Sequence, residues 1–229
     1  MNPLVIPRRV PGTPVPLTPA QSRLWVLDRS GFGGSAYLCW TSRRYRGPLD
    51  AAALARALHA LAARHEALRT SVEVTATGPV QVVSDAPAEG VLEIVDLTNG
   101  ATGGTADVER EAKRRTEEFV ARPMRLDRPP LHRALLLRLA PDDHVLVWVL
   151  HHIVCDGQSL GVLESELFAL YRGEDLGPAP AQFPDYAVWL AGHGSADSAR
   201  GAEYWRGQLR GAPAVQSLPS DRARPAEPS

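Results

Sequence analysis

Apolar residues recur at helical spacing in several stretches of the chain. Asp50 is a good N-cap for the strongest of these, whose inward positions are Leu54, Leu58, Leu61, His65 and Leu68. Thr18 and Gln21 have the spacing of a capping box for an earlier helix, with Pro19 at its first position. Further helices are predicted over 106–120, 159–171, 185–191 and 204–209. The apolar faces of these helices need a sheet to pack against.

Runs of apolar residues with strand length lie between these helices. They cover 37–45, 70–83, 91–97, 131–139 and 144–154. The last two are joined by the turn-forming residues 140–143, which predict an antiparallel hairpin. A hairpin or a meander is also expected over 70–97. This order of helices and strands predicts an α+β fold.

Proline is concentrated near both ends of the chain. Five of the first sixteen residues are proline, which fixes φ and removes backbone donors, so 1–16 is predicted to be an extended arm. Residues 17–210 are predicted to form the folded part. Residues 211–229 are rich in proline, serine and charge and have no pattern that would form a core. This tail is expected to be a disordered terminus or a connection toward a segment absent from this chain.

Composition and charge narrow the class of protein. A chain of 229 residues with 44% hydrophobic residues can bury the core of one large domain or two small ones. The net charge of -1 gives no field to hold nucleic acid or an anionic membrane, and no window resembles an export signal or a membrane span. Cys39 and Cys155 lie far apart with no metal-binding spacing, so neither a disulfide framework nor a zinc site is expected. A cytoplasmic location is the expectation.

The segment 144–157 carries the candidate chemistry. In a strand, alternation places Leu146, Trp148, Leu150 and His152 on one face and Val145, Val147, Val149 and His151 on the other. The adjacent histidines then point in opposite directions, which disfavours a joint metal site. His151, among aliphatic neighbours, is predicted to be a core histidine. His152 is predicted to face a cavity, where an imidazole with a pKa of about 6.5 can take and return a proton.

The residues after the strand predict a turn into the next helix. Gly157 is expected to adopt conformations closed to other residues there, and Ser159 is expected to cap the helix. Cys155 has no neighbour arranged to lower its pKa, so it is not predicted to be a nucleophile. His65 and His132 are predicted to be structural, and Trp205 to anchor the last helix. A purely structural role for the histidine pair stays open on this reasoning, because buried histidines with satisfied hydrogen bonds are common.

Four blocks of sequence, in order, resemble the condensation-domain family of nonribosomal peptide synthetases. The segment His151–Gly157 matches the family's HHxxxDG signature, and Leu17–Trp25 and Arg64–Thr70 resemble its first two motifs. Asp185-Tyr186 with Tyr204-Trp205 resembles the segment before the crossing between the family's two lobes. The resemblance implies the N-terminal lobe of a chloramphenicol-acetyltransferase-like fold, a mixed β-sheet covered by helices. Residues 211–229 would lead toward a C-terminal lobe that is missing from this chain.

The same resemblance implies an acyltransferase that forms an amide bond. Donor and acceptor peptidyl carrier proteins would present the acyl thioester and the amine on phosphopantetheine arms, and the lobe itself would bind no cofactor. His152 would orient or deprotonate the amine, Asp156 would be mainly architectural and pair with Arg64, and Gly157 would keep the turn open beside the thioester. The isolated lobe is expected to be inactive, because half of the family's tunnel wall is missing.

Two alternatives stay open. The chain could be an HHxxxDG acyltransferase that uses acyl-CoA or forms an ester, since the signature reports acyl transfer rather than its substrates. It could instead be a non-catalytic lobe that docks a carrier protein. An epimerisation domain shares the signature, but Arg64–Thr70 and Gly161–Leu163 look more like the condensation pattern. Two positions depart from the family: Gln158, which bears on tunnel shape, and Arg125, which bears on local packing.

Overall fold

Five α-helices and seven β-strands make up the part of the chain that the structure, a computed structural model, describes. The described residues are 6–31, 34–87, 89–98, 104–179 and 181–213, with 194–199 described by their backbone alone. The helices are α1 (Pro19–Arg29), α2 (Ala51–Arg64), α3 (Thr105–Ala121), α4 (Gly157–Tyr171) and α5 (Phe183–Gln208). The strands are β1 (Val15–Pro16), β2 (Leu38–Arg46), β3 (Thr70–Thr75), β4 (Gly78–Val83), β5 (Leu92–Asp96), β6 (His132–Ala140) and β7 (Asp143–His151). A 3-10 turn, Glu66–Arg69, joins α2 to β3.

The strands form two sheets. The larger sheet has the order β2-β7-β6-β5 and is mixed, because β5 runs parallel to β6 and the other pairs are antiparallel. The smaller sheet is antiparallel with the order β1-β4-β3. The predicted α+β class and mixed sheet are confirmed, as are the β6–β7 and β3–β4 hairpins. The meander over 70–97 is wrong, because β5 leaves that hairpin and pairs with β6 instead.

The larger sheet is covered on both faces. Leu136, Leu146 and Trp148 pack with the apolar residues of α2 and α4, whereas Leu137 and Val147 pack with those of α3. The alternation predicted for β7 is therefore confirmed. Its side chains fill two separate cores, so burial on both faces fixes the register of this strand. The strand ends at His151, the first of the two adjacent histidines.

Local sequence signals set where several helices begin. Thr18 and Gln21 form the predicted capping box on α1, and Asp50 caps α2 through the backbone of Ala52 and Ala53. Ser159 does not cap α4. It lies in the first turn of that helix and donates to Asp156, which is the N-cap.

Other boundaries differ from the sequence predictions. The folded part begins before Leu17, because Val15 and Pro16 of the proline-rich arm pair with β4. The helices predicted over 185–191 and 204–209 belong to one helix, α5. Trp205 is 59% exposed, and its role as an anchor for the last helix stays a prediction.

The chain divides into two units, Met1–Ala191 and Gly192–Ser229, and both sheets lie in the first. The predictions for residues 1–5 and for the tail beyond Pro213 lie outside the described residues. None of the helices in the described part of the chain is long and apolar enough to span a bilayer.

Candidate active site

A tight turn follows β7 and carries the histidine pair into α4. The strand ends at His151, one residue earlier than the alternation argument required, so His152 lies in the turn itself. The backbone N–H of His152 donates to the carbonyl oxygen of Tyr37 at 2.8 Å, and the N–H of Val154 donates to the carbonyl of His151 at 3.0 Å. The first bond ties the turn to the residue before β2, and the second closes the turn. The two imidazoles are thereby placed in different environments.

His151 is a buried, neutral group. It is 1% exposed, and its Nδ1 atom accepts the backbone N–H of Ile153 at 3.0 Å. An imidazole nitrogen that accepts carries no proton, so Nδ1 is the unprotonated nitrogen. Burial, with a smaller contribution from the neighbouring His152, lowers the pKa of His151 to about 4. Its position matches the predicted core histidine.

His152, in contrast, is exposed, and one ring nitrogen is held by the backbone. Its Nδ1 atom lies 2.8 Å from the carbonyl oxygen of Cys155. A carbonyl oxygen can only accept, so Nδ1 of the neutral ring must carry the hydrogen. The lone pair of the neutral imidazole is then on Nε2. The turn thus selects the tautomer whose outer nitrogen is basic.

A cavity of about 310 Å³ opens beside this imidazole. The N-terminal part of α1, the turn after β7 and the start of α5 supply its walls. Its lining includes His152, Leu24, Ile153 and Phe183. A mostly apolar cavity lined by a histidine whose Nε2 is basic suits proton transfer to or from a bound substrate.

Asp156 does not pair with Arg64, so that prediction is wrong. The Asp156 carboxylate accepts the backbone N–H of Ser159 at 2.8 Å and its hydroxyl at 2.6 Å, and these bonds lower the pKa of Asp156. Arg64 Nε instead donates to Glu166 Oε2 at 3.0 Å, and its Nη1 donates to the carbonyl of Gly177 at 2.8 Å. Glu166 lies ten residues after Asp156, about 15 Å along a helix of 1.5 Å rise per residue. Arg64, at the end of α2, therefore meets α4 well beyond its capped end.

Gly157 occupies the first position of α4 and does not need the backbone freedom of glycine. Its φ lies outside the left-handed region, and a Cβ built there would meet no atom within 4 Å. The expectation that the turn requires conformations closed to other residues is wrong. What glycine provides at this position is open space beside the turn.

The two cysteines show no sign of nucleophilic activation. Burial raises the pKa of Cys155 and of Cys39. Thiolate formation is therefore disfavoured at both positions. Among the residues that the structure describes, no three histidine, cysteine or acidic side chains are grouped in a way that could hold a metal ion.

Sequence reasoning missed two side chains at this site, Gln21 and Gln81. Both are buried, and Gln21 donates to the carbonyl of Ile153 within the turn. The capping box identified Gln21 as a helix-start residue, but this pattern gave no sign of its contact with the turn. Gln81 lies in an ordinary strand pattern and gave no signal at all.

Comparison with known proteins places this fold and turn in a family. The family model described as Condensation domain matches residues 13–229. The chain is 38% identical to malpinin synthetase of Mortierella alpina over 222 residues, which cover 94% of the chain and 3% of that protein. It is 39% identical to phosphinothricin tripeptide synthetase PhsC of Streptomyces viridochromogenes, over 96% of the chain and 21% of that protein.

Solved structures give the same answer. The X-domain in its complex with OxyB from teicoplanin biosynthesis superposes with a TM-score of 0.81 at 32% identity, covering 100% of this chain and 50% of that one. The first condensation domain of the calcium-dependent antibiotic synthetase, in complex with a substrate analogue, gives 0.73 at 29% identity, covering 88% and 48%. The chain thus spans about half the length of these solved chains and a small part of the two synthetases. It belongs to the condensation-domain family.

Proposed function

We propose that this chain is the N-terminal lobe of an amide-forming condensation domain, with His152 as its central catalytic residue. The observation that carries the proposal is the hydrogen bond between His152 Nδ1 and the carbonyl of Cys155. It leaves Nε2 as the basic nitrogen of a side chain that lines an open cavity. The donor acyl group is a thioester on the phosphopantetheine arm of one carrier protein. The acceptor amine is held by a second carrier protein.

The reaction needs one proton to move while two bonds change. The amine nitrogen attacks the thioester carbonyl, which forms the C–N bond, and the C–S bond then breaks. His152 Nε2 accepts the proton that the amine nitrogen loses and returns it to the departing sulfur. The products are an amide and a free carrier thiol. The carbonyl of Cys155 keeps Nδ1–H in place throughout, as an orienting acceptor does for other catalytic histidines.

The roles of the other motif residues follow from their contacts. His151 is structural, because its Nδ1 accepts a backbone N–H of the turn. Asp156 is architectural as the N-cap of α4, and Gly157 leaves space for the thioester beside the turn. Arg64 ties α2 to α4 through Glu166. These side chains shape the site around His152 and do not react.

Activity requires a second lobe in this proposal. The cavity beside His152 is open, and the chain covers about half of the solved condensation domains that it resembles. We expect the 229 residues alone to form no amide. Measurable amide formation by the isolated chain that depends on His152 would contradict this expectation.

A non-catalytic docking role is the second candidate, and one observation favours it. The X-domain that superposes on the whole chain was solved in complex with another protein, OxyB. A domain of this fold therefore binds another protein in that complex. The two candidates differ in whether product forms at all.

Substrate exchange tests the proposal. It uses the full-length polypeptide, which in this proposal contains this lobe together with the second lobe. The same acyl group is supplied as a carrier-bound thioester or as acyl-CoA, and the acceptor is an amine or the matching alcohol. The proposal expects amide from the carrier-bound donor and the amine, at a rate well above the other three combinations. Preferred use of acyl-CoA or of the alcohol would favour the alternative acyltransferase, and carrier binding without product would favour docking.

A further inference from the structure

A buried glutamine holds the turn that carries His152. Gln21 is 3% exposed, and its Nε2 atom donates to the carbonyl oxygen of Ile153 at 3.2 Å. The same amide accepts the backbone N–H of Thr18 at 3.0 Å through Oε1. Ile153 follows His152 directly, so α1 is bonded to the peptide next to the imidazole.

A second buried glutamine completes the network. Gln81 in β4 is 4% exposed, and its Oε1 accepts from Gln21 Nε2 at 3.0 Å. Its own Nε2 donates to the carbonyl of Pro16 at 2.9 Å. Both hydrogens of the Gln21 amide are therefore used, one by Gln81 and one by Ile153.

The orientation of both amides is fixed by their partners. Pro16 offers only a carbonyl, so the nitrogen of Gln81 must face it and the oxygen of Gln81 must face Gln21. The Thr18 N–H can only donate, so the oxygen of Gln21 must face Thr18 and its nitrogen the turn. If either amide were flipped, donors would face donors and acceptors would face acceptors.

The position of the Ile153 peptide bears directly on the imidazole. The acceptor of His152 Nδ1 is the carbonyl of Cys155, two residues beyond Ile153. Rotation of the peptide that follows Ile153 would move the backbone leading to that carbonyl. Both ends of Ile153 are bonded: its carbonyl accepts from Gln21, and its backbone N–H donates to His151 Nδ1.

We propose that Gln21 is a positioning residue for His152. Its amide keeps the turn in the shape in which the Cys155 carbonyl accepts Nδ1–H, and so keeps Nε2 basic. The catalytic value of this arrangement rests on the proposed function. The effect on the tautomer is a property of the folded chain and is measured without turnover.

The test reads the tautomer of His152 by NMR. The chain is labelled with ¹⁵N-histidine, long-range ¹H–¹⁵N spectra are recorded at about pH 8.5, where an ordinary histidine is neutral, and the His152 signals are identified by their loss in His152→Gln. The wild type is expected to carry its hydrogen on Nδ1. Gln21→Met keeps the length of the side chain and removes its amide. It is expected to lower the ratio of Nδ1–H to Nε2–H about fivefold to tenfold, the effect of losing the hydrogen bond from His152 Nδ1 to the carbonyl of Cys155.

Gln81→Met is the matched control. It removes an amide at the same depth but leaves the bond from Gln21 to Ile153, so the ratio is expected to change less than about twofold. An unchanged ratio in folded Gln21→Met overturns the proposal. An equal change in both variants also overturns it, because the effect would then belong to general packing.

Gln21→Asn keeps the test decisive if Gln21→Met does not fold. Its amide is withdrawn by about 1.5 Å, one C–C bond, yet it remains polar. A loss of Nδ1–H in folded Gln21→Asn supports the proposal, and an unchanged ratio overturns it.

In the full-length polypeptide, Gln21→Met should lower kcat without changing KM for the acceptor. If the wild-type polypeptide makes no amide but Gln21→Met still shifts the tautomer of His152, the proposed function is wrong and the positioning role stands.

Discussion

Arg64 Nε lies 3.0 Å from Glu166 Oε2, which couples the end of α2 to the middle of α4. The same carboxylate oxygen lies 2.5 Å from His65 Nε2. Both partners of the Arg64–Glu166 pair are largely buried. The arginine that the family resemblance assigns to Asp156 therefore belongs to a different carboxylate.

A double-mutant cycle distinguishes the two pairings. We expect Arg64→Ala and Glu166→Ala to show a coupling energy of about 1–2 kcal/mol, because the two groups share hydrogen bonds. Arg64→Ala and Asp156→Ala should be additive within about 0.5 kcal/mol. Free energies of unfolding in urea give both values, and a larger coupling for Arg64 with Asp156 would contradict the structure.

A substitution at Gly157 distinguishes an effect on folding from an effect on the space available to the substrate. Gly157→Ala should leave stability unchanged or raise it by up to about 1 kcal/mol, because alanine is the better helix former and its Cβ meets nothing. Loss of amide formation in this stable variant would place the substrate beside the turn. Gly173→Ala is the control, since its φ of 76° is strained for any side chain, and it should be destabilising. A marked loss of stability in Gly157→Ala would contradict the observed conformation.

Arg9 adds two ion pairs to the strand pairing that holds the proline-rich arm. Arg9 Nη1 lies 2.7 Å from both Asp185 Oδ1 and Glu66 Oε2, and Asp185 is buried. Arg9→Ala should cost about 3 kcal/mol, because it leaves a buried carboxylate without its cation. Arg8→Ala, at the exposed neighbouring position, should change stability by less than about 0.5 kcal/mol. Equal effects in urea unfolding would show that the arm is not held by this ion pair.

Buried histidines make stability depend on pH. Burial lowers the pKa of both His132 and His151 to about 4 in the folded chain, whereas an unfolded histidine titrates near 6.5. Below pH 6.5 the unfolded state binds more protons, so this stability is present above 6.5 and is lost as pH falls toward 4. At pH 5 each histidine should cost about 2 kcal/mol relative to pH 7.

Urea unfolding at pH 7 and pH 5 measures this loss. His132→Gln should show a smaller loss than the wild type between these two values of pH. His59→Gln, at an exposed position on α2, should show the same loss as the wild type. Stability that does not change between pH 7 and pH 5 would contradict the burial of the two histidines.

Features fixed by neighbouring residues could be predicted from the sequence. The capping box of Thr18 and Gln21 spans three residues, and the alternation along β7 is a property of one strand. The difference in burial between His151 and His152 was predicted from the same alternation. For His152, however, the exposed position comes from the turn rather than from the strand face.

Contacts between distant parts of the chain could not be predicted in this way. Arg9 and Asp185 are 176 residues apart, and Gln21 and Gln81 are 60 apart. Nothing in the spacing of either pair marks them as partners, because the fold alone brings them together. Asp156 shows the converse case: its cap of α4 is local, but an inferred distant pairing with Arg64 concealed it.

The rate of a single turnover with and without His152 tests the central claim most directly. The full-length polypeptide and its His152→Gln variant are mixed with a loaded donor carrier and saturating acceptor, and the amide is followed in time. We predict a fall of about 10²- to 10⁴-fold, the range for loss of a general base, with carrier binding unchanged. The free energy of unfolding should fall by no more than about 1.5 kcal/mol, because the exposed imidazole makes one hydrogen bond, to the carbonyl of Cys155. His59→Gln should react at the wild-type rate. A His152→Gln variant that forms amide within twofold of the wild-type rate would contradict the account.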